Sequence, residues 1–193
     1  MNKLLLSLLC LLLLTSFKKE ISTRAQYQFY GDILQIGDNY QGGKIAYLLQ
    51  SDDPGYDANV QHGLIAAATD QSTGGIWGAE TIILGTDTAF GTGNQNTITI
   101  MDGCATAGIA ARLCGDLQLN GYSDWYLPSK DELNKLYINR KAIGHFVSAA
   151  YWSSSHSHKG MVWVQAFEGK NTGMQLYANQ QYAKCRVRAI RAF

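Results

Sequence analysis

The spacing of apolar residues changes period at Gly144, and this change constrains the fold more than any other feature of the chain. Upstream, two segments carry helical spacing. Between Ile98 and Leu117, the residues Met101, Ala105, Ile109, Leu113 and Leu117 recur every four positions, with Ala110 and Cys114 beside them. Gly103 and Gly108 weaken the first half, so the spacing predicts a firm helix from near Ala105, ended by Asn120-Gly121. The second helix starts at Pro128-Ser129-Lys-Asp-Glu132, where Ser129 can cap the free amides while Glu132 reaches back to close a capping box. Leu133, Leu136 and Tyr137 form its buried face and Gly144 stops it. Downstream the period is two. Tyr151–Ser155, Met161–Phe167, Met174–Tyr177 and Cys185–Ile190 read as strands, with turns at Lys159-Gly160 and Glu168-Gly169.

Ahead of the helices, Gly43–Leu49 and His62–Ala67 read as two strands separated by the turn-rich Ser51-Asp-Asp-Pro-Gly-Tyr-Asp57. Residues 70–96 are rich in Gly, Thr and Asn and read as a long surface loop anchored by Trp77. No internal repeat or low-complexity tract interrupts this order. Two strands, two helices and an antiparallel meander make an α+β fold, with helices packed on a mainly antiparallel sheet.

The 193 residues suit one domain, and 16% charged residues with 11% aromatics exclude a disordered chain. A formal charge of +1 gives no general attraction for nucleic acid, but the charge is unevenly placed. Residues 26–128 hold 2 basic and 11 acidic residues, a balance of −9, whereas residues 129–193 hold 10 basic and 3 acidic, a balance of +7. Such a chain either presents a basic patch to polyanions or neutralises one half against the other.

Met1-Asn-Lys3 followed by the apolar Leu4–Leu14 reads as a secretory signal, with cleavage after Ser16 or Ala25. Residues 1–25 are therefore expected to be a signal and short linker, and 26–193 one domain. Phe17 stands where a lipobox Cys would be expected, and Leu9 before Cys10 is too large for that site, which argues against lipid anchoring. The expected location is periplasmic, outer-surface or secreted, with no membrane span in the mature chain.

No nucleophile elbow, zinc-protease motif or phosphate-cradling loop is present, so the chain is expected to be neither an enzyme nor a cofactor carrier. His156-Ser-His158 has a spacing that could ligate a metal, but with no third ligand nearby in sequence it reads as a surface pair. Asp52, Asp53 and Asp57 read as a solvated loop rather than a calcium cage. Trp125, Trp152 and Trp163 fall in predicted elements and read as core. Trp77, Tyr177 and Tyr182 lie in or beside loops and could stack on sugar rings. Arg186 and Arg188 share a strand face and, with Arg191, are expected to pair with Asp124 or Asp131. Lys159, Lys170 and Lys184 are the candidates for an exposed basic patch.

Three ordered motifs carry a resemblance. Asn120-Gly-Tyr-Ser-Asp-Trp-Tyr-Leu-Pro-Ser-Lys-Asp-Glu-Leu133, Tyr151-Trp-Ser-Ser-Ser155 and Arg186-Val-Arg-Ala-Ile-Arg191 resemble the Lcl C-terminal domain family of bacterial exported and surface proteins. Gly37-Asp38, Gly42-Gly43 and His62–Ala67 extend the likeness to roughly residues 31–193. The resemblance implies a C-type-lectin-like fold, distantly related to the formylglycine-generating sulfatase-modifying domains. The reactive cysteine pair of those enzymes has no counterpart, because only Cys185 lies near the end of the chain.

Outside the signal the cysteines are Cys104, Cys114 and Cys185. A continuous helix from 104 to 114 would hold their α-carbons about 15 Å apart, too far for a bridge. A break at Gly103 would permit one, and three buried thiols is the remaining reading. By analogy with the lectin fold, the resemblance implies a Cys114–Cys185 disulfide. It also implies a surface adhesin that binds carbohydrate or sulfated polysaccharide through loops among residues 153–184, involving Lys159, Lys170, Lys184, His156, His158, Tyr177, Tyr182 and Trp77. The alternative is a structural or protein-binding module of a surface assembly without glycan affinity, its oligomeric state open.

Overall fold

The computed structural model describes residues 33–78, 85–167 and 169–193. The expected signal and the Glu168 half of the expected turn lie outside the described residues. All elements fall within the unit Gln35–Phe193. They form a mixed α+β fold with two sheets. Strands β1 (Asn39–Tyr40), β2 (Gly43–Leu48), β3 (Gly63–Ala66) and β9 (Ile190–Ala192) pair antiparallel in that order. The second sheet has the order β4 (Ser72–Gly75), β8 (Cys185–Val187), β5 (Ala150–His158), β6 (Met161–Ala166) and β7 (Gln175–Asn179). Its β5–β6–β7 portion is the expected meander, while β8 lies parallel to β5 through Tyr151 and Arg186. Only Arg188 and Ala189 separate β8 from β9, so the end of the chain passes from one sheet directly into the other.

The helical region departs from expectation. One helix from near Ala105 is replaced by α1 (Gly93–Gly103) and α2 (Ala110–Gly115). Cys104 is extended and Gly108 has φ 72°, which breaks the run. The Arg112 guanidinium then bonds Met101 O at 2.7 Å and Cys104 O at 3.1 Å, occupying carbonyls that the end of α1 leaves without helical donors. Asn120-Gly121 is a hairpin turn, with φ 53° and 85° and Leu119 bridged to Tyr122, rather than a helix stop. The capping box forms as expected at the start of α3 (Lys130–Ile138), and Gly144 ends the short α4 (Arg140–Ile143).

Two apolar clusters fill the interior. One gathers Trp77, Trp152, Ile65, Ile100 and Leu127 between the sheets and α1–α2. The other gathers Tyr151, Phe167, Leu133 and Leu136 beneath α3. All three cysteines sit in the first cluster. The Cys114–Cys185 disulfide is not formed: both are buried thiols, enclosed by apolar neighbours and behaving as small hydrophobes. Burial pushes the Cys185 thiol up to about 11 and Cys114 higher still, so neither is a ready thiolate. No described helix is long and apolar enough to cross a membrane.

Candidate functional site

The site is built by the parity of β6 and β7. Val162 and Val164 point into the core, so Trp163 between them points outward; Leu176 and Ala178 likewise turn Tyr177 out. Trp163 and Tyr177 are directly paired across the strands, and their ring centroids lie 4.2 Å apart. His158, at the end of β5, meets Tyr177 edge-on at 5.3 Å. Above this row stands α3: Lys130, its first residue, places Nζ 4.8 Å from the Trp163 ring centroid. The Lys130 amide donates to Ser155 Oγ at 2.9 Å, and Gln175 Nε2 on β7 donates to Lys130 O at 3.1 Å. The helix start is thus bonded to both sides of the sheet. Lys130 also faces Asp131 at 3.4 Å, a partly exposed pair of little energetic weight. The result is a fixed strip of three rings beside an ammonium, with Tyr177 48% exposed.

The candidates from the sequence separate into two groups. Lys159 is exposed in the β5–β6 turn, next to His158 in sequence and with φ 43°. Tyr182 and Lys184 are exposed in the β7–β8 connection at the same end of the ribbon, where Gln180 N bonds Gly160 O at 3.0 Å. Lys170 lies in the β6–β7 loop at the opposite end and does not belong with them. Trp77 is no ligand platform: it is fully buried and its indole donates to Ser153 O at 2.7 Å. The two imidazoles do not share a face either. Register shifts on both sides of His156 turn its ring toward Trp77, at 6.4 Å, while His158 faces out. Burial holds His156 below the usual histidine range, with the nearby charge of His158 adding to the effect. Among the described residues no three His, Cys, Asp or Glu side chains gather as metal ligands.

The remaining polar candidates serve the fold. Asp53 accepts from Tyr47 OH at 2.6 Å and from Gln50 N at 2.8 Å, and Asp57 accepts from Asn59 N at 2.7 Å, so both shape turns. Arg191 pairs with Asp124 through two bonds of 2.7 Å, which holds the Asp124 carboxyl below its usual range. Arg186 and Arg188 pair with Asp70 rather than with Asp124 or Asp131. Residues 66–191 match the Lcl C-terminal domain family. The chain belongs to that family. No curated protein sequence matches it. Within this Lcl C-terminal domain the matched span takes in every strand of the five-stranded sheet and the whole aromatic strip.

Sequence reasoning missed Lys130 and assigned Trp163 to the core. The signal for Trp163 was present in the flanking Val162 and Val164, whose burial fixes its outward parity. Lys130 carried no such signal, since its place over the ring depends on how α3 docks on β6.

Proposed function

We propose that this domain is an exported, non-enzymatic binding module with a C-type-lectin-like arrangement that holds acidic glycans on the outer face of β5–β7. The observation that carries the reading is the strip Trp163–Tyr177–His158 with Lys130 beside it. Aromatic rings cover the apolar faces of sugars, and ammonium groups meet sulfates or carboxylates through charge-assisted hydrogen bonds. Exposed Lys159 and Lys184, at the same end of the ribbon, add positive charge to the surroundings. Support for binding over catalysis comes from the buried carboxyl of Glu132, which closes a helix cap, and from the buried arginines, which hold ion pairs.

The test is retention on a sulfated polysaccharide column at low and at physiological salt. The wild-type domain is expected to be retained at both. Lys130→Glu with Lys159→Glu should pass through at physiological salt, while Lys170→Glu alone should behave as wild type. A glutamate at position 130 is compatible with the first turn of a helix, so the double variant is expected to fold. Salt-insensitive flow-through of the wild type would instead favour the protein-interface alternative.

A further inference from the structure

A cavity of about 360 Å³ opens between the β2–β3 loop, the segment leading into α1 and the end of β9. Its floor is Leu64, Tyr126 and Glu132, all buried, and Phe90 and Phe193 are half-buried walls. Asn94, exposed in the first turn of α1, stands at the rim. The wall also includes His62, whose Nδ1 lies 3.2 Å from Phe193 O.

The carboxyl on the floor has only neutral donors. Glu132 Oε2 accepts the Ser129 amide at 2.7 Å, and Oε1 accepts the Gly91 amide at 3.2 Å and the Tyr126 hydroxyl at 3.3 Å. No ion pair among the described residues includes it. Elsewhere the fold treats buried charge differently: Arg188 and Arg191 each have a carboxylate partner. Burial correspondingly pushes the Glu132 carboxyl above its usual range. Gly93 permits this close seating, since a Cβ there would run into the carboxylate. Phe90 already accepts a cation within the protein. Lys135 Nζ lies 5.8 Å from its ring centroid and is held there by a 3.0 Å bond to Tyr47 OH.

We propose that this cavity binds a small organic cation, an ammonium compound whose charged head lies among Phe90, Tyr126 and Phe193 above the Glu132 carboxyl. Aromatic faces attract such a head electrostatically, and most strongly where water is excluded. A buried carboxylate without a cation is the natural complement, because pairing offsets part of its desolvation cost. The site is separate from the aromatic strip and does not rest on the glycan reading.

The test is calorimetric titration of the protein with choline and with its uncharged carbon isostere, in which carbon replaces the ammonium nitrogen. Choline is expected to bind at least about tenfold more tightly than the isostere. Glu132→Gln keeps a side-chain acceptor for the Ser129 amide, so the capping box survives. In that variant the preference for choline should fall toward unity, with retention on sulfated polysaccharide unchanged. Asn94→Lys, at an exposed position, should weaken choline about tenfold while leaving the isostere unaffected. Equal affinity for the two probes, absence of saturable choline binding, or an unchanged preference in Asn94→Lys would overturn the proposal.

Discussion

The aromatic strip on β5–β7 and the cavity beneath Phe90 use the same chemical types with opposite charge. On the strip, rings lie beside Lys130, with Lys159 exposed in the adjoining turn, in the half of the chain that carries +7. In the cavity, rings surround a buried carboxyl, with lining drawn largely from the half that carries −9. The two differ most in water. Tyr177 is 48% exposed, so charge there acts through a screened medium and suits a long polyanion that makes many weak contacts. Glu132 is completely buried, where one charge acts strongly over a short range and suits one small ligand. Part of the charge asymmetry along the chain is neutralised across the fold, where Arg186 and Arg188 pair with Asp70 and Arg191 pairs with Asp124, while the exposed lysines near the strip and the buried Glu132 stay outside those pairs.

The comparison would be broken most completely by removing the ion pairs that hold the scaffold. Asp70 accepts from Arg186 at 2.7 Å, from Arg188 Nε at 2.7 Å and from Tyr151 OH at 3.1 Å. Arg188 is 1% exposed and its guanidinium also bonds Ala67 O and His145 O. Asp70→Ala strands that buried charge and is expected to cost about 3–5 kcal/mol in denaturant unfolding. Both binding activities should then fail together at temperatures where wild type is folded.

A sharper division comes from reciprocal ring deletions. Tyr177→Ala should weaken the polysaccharide by about fivefold, the equivalent of roughly 1 kcal/mol for an exposed ring and its ionic neighbour, without touching choline. Phe90→Ala should weaken choline and leave the polysaccharide alone. Paired titrations of the two variants check this directly, and a variant that impairs both ligands would merge the two sites.

The smallest effect concerns Glu132 alone. Its folded carboxyl titrates above the ordinary value of 4.5, so the native state binds more protons than the unfolded chain in that window. Stability contributed by this group is therefore present below 4.5 and declines as pH rises through the raised value. Urea unfolding across that range should show the decline in wild type and a flatter profile in Glu132→Gln.

Much of the fold was legible because its signals are local. The Ser129–Glu132 box needs only three residues of spacing, and the Lys159-Gly160 turn needs only adjacent residues that tolerate positive φ, observed at 43° and 75°. The strip was half legible. Tyr177 and His158 stood out as polar-edged rings near loops, whereas Trp163 required attention to its flanking valines. Strand β4, Ser-Thr-Gly-Gly, carries no strand-like residue pattern and exists through its pairing with β8 more than a hundred residues later. Trp77 looked like a loop aromatic because burial is set by what folds over it.

The sequence by itself determined the helix start at Ser129, the Lys159-Gly160 turn, the β5–β6–β7 meander and the division of charge, since each can be read from neighbours within a few residues. Tertiary structure alone decided that Cys114 and Cys185 remain thiols, that Arg186 and Arg188 choose Asp70, that Lys130 lies over Trp163, and that Glu132 closes a cavity as well as a helix cap. Those outcomes depend on distance and desolvation between segments far apart in the chain, and no local pattern of residues encodes either quantity.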